Sequence, residues 1–155
     1  MSRDPGTHHF EEVLRLMETD RKRLSKEIIK RVASLPVYGE VYRRACELLG
    51  VKNSAELAIL TLELPLHLPL CALKGLLGLN PNRTEGRYNH RLRHHIAALA
   101  TSLYMNARKH AGALDKVAEI INCLPRWQAI IRLELMTLKA LRIAYLMTTK
   151  PLTGG

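Results

Sequence analysis

Arginine and histidine recur in this chain at spacings that place them on common helix faces, and their chemistry is that of phosphate contact. Arg87, Arg91 and then His94 or His95 stand at i, i+4 and i+7 or i+8, with Arg83 extending the stripe into a loop and Arg93 flanking it. Small residues at Ala98 and Ser102 continue the stripe and leave room for a bulky partner. Arg108, Lys109 and His110 form a second cluster, and Arg132, Lys139 and Arg142 share one side of the last helix. A guanidinium's planar fork holds two phosphate oxygens, and a line of cations supplies affinity without reading bases. Glu85 and Glu134 are the only acids on the two helices concerned, whereas a merely solvated helix face usually balances its charges. The expected nucleic-acid-binding set is therefore Arg83, Arg87, Arg91, Arg93, His94, Arg108, Lys109, Arg132, Lys139 and Arg142.

Other chemistries find less support. His90 and His94 have the i, i+4 spacing of zinc-binding histidines, but no Cys or nearby carboxylate completes a ligand set and the neighbouring arginines repel a cation. His67, between two prolines, reads as a packed or capping side chain. There is no Gly-rich phosphate loop, nucleophile elbow or His-Glu-x-x-His, and Asp115 and Glu119, one turn apart, are explained by helix-start electrostatics. The expectation is a protein that is not an enzyme and carries no metal and no cofactor. Arg44 to Val51 followed by Asn53-Ser54 has the outline of a helix-turn-helix, but the next helix offers Ala55, Glu56, Leu57, Ala58 and Ile59, which cannot read base edges.

The elements that must position these side chains are all helical. From Phe10 through Val13, Leu14, Met17, Leu24, Ile28 and Val32 to Leu35, apolar residues recur at helical spacing. Glu11/Arg15, Glu18/Lys22 and Glu27/Arg31 stand acid-before-base on the other face. This first helix is nearly neutral, so it reads as a solvated helix or a partner-binding arm and is a poor lone candidate for binding nucleic acid. Ser34 with Pro36 opens a second helix, whose apolar face is Val41, Tyr42, Ala45, Leu48 and Leu49 and whose stop is Gly50. Asn53 with Glu56 has the form of a capping box.

Residues 57–79 are almost continuously apolar. Pro65 and Pro69 break the run, and Glu63, His67 and Lys74 oppose a membrane span, so two short buried helices joined at 64–69 are expected. In so small a chain much of that apolar surface is expected between subunits, through Leu57, Leu60, Leu64, Leu66, Leu68, Leu70, Leu73 and Leu77. Thr84 caps a long helix to about Lys109 with Leu92, Ile96, Leu99, Leu103 and Ala107 inward. A short helix with Leu114, Val117, Ala118, Ile121 and Leu124 inward follows, and Pro125 opens the last, lined by Trp127, Ile130, Ile131, Leu135, Leu138, Leu141 and Tyr145. The result is an all-α bundle with a long N-terminal helical arm, residues 1–35 being the arm and 36–155 the bundle.

Composition agrees. The chain has 155 residues, 47% hydrophobic but only 5% aromatic, and its apolar content is mainly the helix formers Leu, Ile and Ala. Net charge is +10, of which +2 falls in residues 1–82 and +8 in 83–155, an asymmetry that points to a polyanion. Cys46, Cys71 and Cys123 lie in apolar contexts without paired spacing and read as small buried side chains of a protein kept in a reducing compartment. The start, Met-Ser-Arg-Asp-Pro, does not read as a signal peptide.

The stretch from Ser102 to Leu124 resembles the C-terminal part of the major capsid proteins of archaeal rod-shaped and filamentous viruses. The shared elements are Tyr104, Ala107, the Ala111-Gly112 turn, Leu114-Asp115, Val117 and Ile120-Ile121. That resemblance implies a capsid subunit that forms a homodimer or a heterodimer with a related capsid protein and polymerises into a filament. It also implies double-stranded DNA as partner, often held in the A form, localisation in a virion assembled in the host cytoplasm, and in some cases a lipid envelope. The family's N-terminal arm is polar and Pro/Ser-rich, whereas this chain begins with a charge-paired helix. Two other readings remain open, a small α-helical, backbone-binding subunit of a CRISPR ribonucleoprotein effector and a helical protein–protein adaptor, and an enzyme with an unrecognised helical fold comes last.

Overall fold

Leucine-, isoleucine- and alanine-rich segments punctuated by Gly and Pro fold here into helices packed on one core. The computed structural model describes residues 5–80, 88–109 and 115–150, with the side chains of 5, 108, 109 and 115–117 outside that description. Seven α-helices lie among the described residues: α1 (Pro5–Ala33), α2 (Tyr38–Leu49), α3 (Ala55–Glu63), α4 (Leu70–Leu77), α5 (His90–Lys109), α6 (Asp115–Cys123) and α7 (Arg126–Thr149). No strand occurs among them. α7 packs against α2, α5 and α6, α3 lies along α5, and α1 rests on α2 and α3. Val41, Leu49, Leu57, Leu60, Leu73, Leu77, Ile96, Leu133, Leu138 and Leu141 are fully buried between them. Each such side chain contributes roughly 1.5–3 kcal/mol through removal from water.

Local signals explain the helix ends. Gly50 (φ 67°) and Gly78 (φ 70°) close α2 and α4 in the left-handed conformation. The next residues return their N–H groups to the carbonyls of Cys46 and Lys74. The cap of α3 is Ser54, whose hydroxyl accepts the Leu57 N–H at 3.1 Å, one residue after the expected Asn53. Ser34 does not open α2. Its hydroxyl donates to the Arg31 carbonyl and so closes α1, and α2 begins at Tyr38. Between these helices Gly39 is buried in close approach to α1: a Cβ there would lie 2.5 Å from the Ala33 carbonyl oxygen.

The arm is shorter than residues 1–35. Residues 6–24 of α1 are exposed, but Ile28 and Ile29 pack on the core and Val32 is 2% exposed, so the last turns of α1 belong to the bundle. The apolar run folds as expected into α3 and α4 joined by 64–69, and among the described residues no helix is long and apolar enough to cross a membrane. α7 is rolled relative to expectation. Leu138 and Leu141 face inward, but Trp127 is 64% exposed and Ile131 is exposed too. Ala129, Leu133, Glu134, Thr137, Ala140 and Ala144 take the inner face, because small side chains let α7 lie close to its neighbours. Leu48 is exposed on α2, Cys71 and Cys123 are exposed while Cys46 is buried, and His67 is exposed rather than packed.

Candidate nucleic-acid interface

The stripe on α5 begins where Asn89 caps the helix, its side-chain oxygen accepting the Leu92 N–H at 3.1 Å. Arg91 points outward and donates to Glu63 at 2.7 Å. One turn on, half-buried His95 meets Glu56, with Nδ1 2.5 Å from the carboxylate. Glu56 and Glu63 come from α3, so Arg91 and His95 meet carboxylates 28 and 39 residues earlier in the chain. His94 is exposed beside this clamp.

Arg93 departs from the expected ridge. Its guanidinium turns into the bundle and pairs with Glu134 of α7, which is 1% exposed, and burial pulls its pKa below the ordinary arginine value. Arg142 also turns inward: Nη1 donates to the carbonyls of Leu66 (3.1 Å) and Leu68 (2.5 Å). Those carbonyls lie in the proline-containing connector, where no helix supplies a donor, so Arg142 acts as a brace. Neither residue forms part of an outward phosphate-binding line. Arg132 and Lys139 stay exposed on α7, on one rim of a groove shared with α2 and α6. Arg83 and Arg87 lie outside the described residues. Arg108 and Lys109 occupy the last turn of α5, with side chains outside the description.

The leucines expected between subunits are used within the chain. Leu57, Leu60, Leu64, Leu66, Leu73 and Leu77 are buried in its own core, and Leu68 and Leu70 pack half-buried against it. A bundle this small fills its interior with the most apolar segment it has, leaving those side chains no surface for a second copy.

The cationic surface that sequence reading missed is on α1. Between Arg21 and Arg31 stand Arg21, Lys22, Arg23, Lys26, Lys30 and Arg31 against Glu27 alone. Arg23 is paired with Asp20 and Arg31 with Glu27, whereas Arg15, Lys22, Lys26 and Lys30 share one exposed face and enter no ion pair among the described residues. On a helix the four fall within an arc of about 80°, which Glu12 also enters, and span about 22 Å. Lys22, Lys26 and Lys30, together with Glu18 and Arg21, also rim a groove of about 760 Å³ between α1 and the start of α3, where Asn53 and Glu56 stand. Averaging charge over the whole N-terminal half concealed this run, and a window of eleven residues would have found it.

Among the described residues no group of three His, Cys, Asp or Glu could hold a metal ion. Fold and surface define a basic all-α bundle with a long, largely exposed N-terminal helix. No protein-family model matches the chain, and neither a curated protein sequence nor a solved structure matches it.

Proposed function

We propose that this chain is a non-enzymatic nucleic-acid-packaging protein, a subunit of a helical nucleocapsid that holds double-stranded DNA through its phosphates. The observation that carries the reading is the exposed face of Arg15, Lys22, Lys26 and Lys30 on α1, without ion pairs among the described residues, in a chain of net charge +10. Each cation that meets a phosphate releases condensed counterions, which is affinity without sequence preference. Lysine acts there as a point charge and makes few demands on backbone geometry, as packaging of arbitrary sequence requires. Arg132 and Lys139 add exposed charge on α7, whereas Arg91 is paired at the surface with Glu63, and Arg93 and Arg142 turn into the bundle. The resemblance of residues 102–124 to archaeal viral capsid proteins supplies the packaging context.

Binding of duplex DNA to the full chain, followed by fluorescence anisotropy over a series of salt concentrations, tests the proposal. The expected result is a steep salt dependence. Replacing Lys22, Lys26 and Lys30 together by Gln should lower the slope of log K against log salt by about three, since each phosphate contact contributes about 0.9. Electron microscopy of the same mixture should show ordered filaments. Weak, salt-insensitive binding sinks the reading in favour of a protein–protein adaptor. Discrete complexes with RNA in place of filaments favour a ribonucleoprotein subunit.

A further inference from the structure

We propose that the groove between α1 and the start of α3 seats a run of linked phosphates, the chemistry shared by inorganic polyphosphate and a nucleic-acid strand. The inference rests on the phosphate binding proposed for α1 and adds a second wall to it. On the α1 wall Lys22, Lys26 and Lys30 follow one another by a single turn, so their ammonium groups are offered along about 12 Å of helix. A single phosphate meets only part of that line, and a chain of phosphates meets all of it. Arg21 lines the groove as well, and like the three lysines it is exposed and enters no ion pair among the described residues. The volume of about 760 Å³ leaves room for several phosphates together.

Neutral donors distinguish this groove from a solvated face of lysines. Ser25 of α1 and Asn53 at the start of α3 both line it, and neither side chain has a hydrogen-bond partner among the described residues. In the first turn of α3 the Ser54 hydroxyl takes the Leu57 N–H, and the Tyr42 hydroxyl takes that of Ser54. The N–H groups of Ala55 and Glu56 go to no acceptor among the described residues, and both residues line the groove. Hydroxyl and amide donors orient an anion that the lysines only attract. Two acids line the groove too. Glu56 is engaged from outside by His95 of α5, whose Nδ1 lies 2.5 Å from its carboxylate, and Glu18 is the other. Arg21, Lys22, Lys26 and Lys30 therefore outnumber the carboxylates, one of which already has a partner.

Isothermal titration of the full chain, nuclease-treated and freed of nucleic acid, with inorganic tripolyphosphate at physiological ionic strength tests this. Saturable binding of one tripolyphosphate per chain is expected. Ser25→Ala with Asn53→Ala, a change that removes no charge, should weaken it about tenfold. Lys26→Gln should weaken it by a similar factor, and Glu56→Gln should tighten it about threefold. Arg23→Gln removes the same charge from α1 outside the groove and should leave the affinity unchanged. Circular dichroism checks that each variant keeps its helix content. Absence of saturable binding overturns the proposal. So does an affinity that follows net charge alone, with the Ser25/Asn53 variant equal to wild type and Arg23→Gln as weak as Lys26→Gln. Equal binding of triglutamate also overturns it, since the groove would then take any polyanion. Displacement of the bound tripolyphosphate by duplex DNA assigns the seat to a nucleic-acid strand, and seating without displacement assigns it to free polyphosphate. A salt slope retained on DNA without any seating ends this inference alone, whereas seating with no salt-dependent DNA binding ends the packaging reading alone.

Discussion

At 1% exposure Glu134 has almost no water to solvate its charge, and the Arg93 guanidinium beside it takes over that role. Arg93→Met should leave a buried, uncompensated carboxylate and cost about 3–5 kcal/mol, seen as a large fall in Tm, without changing the salt slope of DNA binding. Replacing both partners, Arg93→Met with Glu134→Leu, should recover most of the loss. Tyr42 is a second buried polar residue with a defined job: its hydroxyl oxygen accepts the Ser54 N–H at 3.0 Å, tying α2 to the start of α3. Burial pushes its pKa up to about 12, against about 10 in an unfolded chain. The folded state favours the protonated phenol, so this contribution is complete below pH ~10 and is lost between ~10 and ~12, at most about 2–3 kcal/mol. Tyr42→Phe should cost about 1 kcal/mol at neutral pH and flatten the alkaline limb of stability measured by urea denaturation.

Helix ends and helix junctions decide how the bundle is put together. The α1–α2 corner depends on Gly39, since a methyl group there meets the carbonyls of Ala33 and Val32, which are backbone and cannot swing aside. Gly39→Ala should destabilise by roughly 1–3 kcal/mol, despite alanine's better helix propensity, and hydrogen exchange should show the last turns of α1 loosening first. At the same corner Ser34 closes α1 instead of opening α2. A serine ahead of a proline has the form of an N-cap, but its hydroxyl turns back to the Arg31 carbonyl because α1 still needs closing there. The choice of Ser54 over Asn53 as cap of α3 is a one-residue shift of similar origin, since the Ser54 N–H must also reach Tyr42.

Across the whole molecule, the distribution of charge separates support from surface. Arg91 pairs with Glu63 of α3, Arg93 with Glu134 of α7, and Arg142 is bonded to carbonyls of the connector, so among the described residues these three arginines do not form one exterior ridge. Among the described residues the exposed cations without ion pairs include a run along α1, where the salt-slope experiment looks for them, besides Arg132 and Lys139 on α7. The sequence by itself determined the all-α class, the helices themselves, and the stop at Gly50 and the broken apolar run, because periodicity, Gly and Pro act within a few residues. Three matters were decided only by tertiary structure: which arginines face solvent, whether the leucines of α3 and α4 serve this chain or another, and which side of α7 is buried. Each turns on contacts between segments tens of residues apart, Glu63 with Arg91 and Glu134 with Arg93 among them, and helical spacing within one segment carries no record of what packs against it.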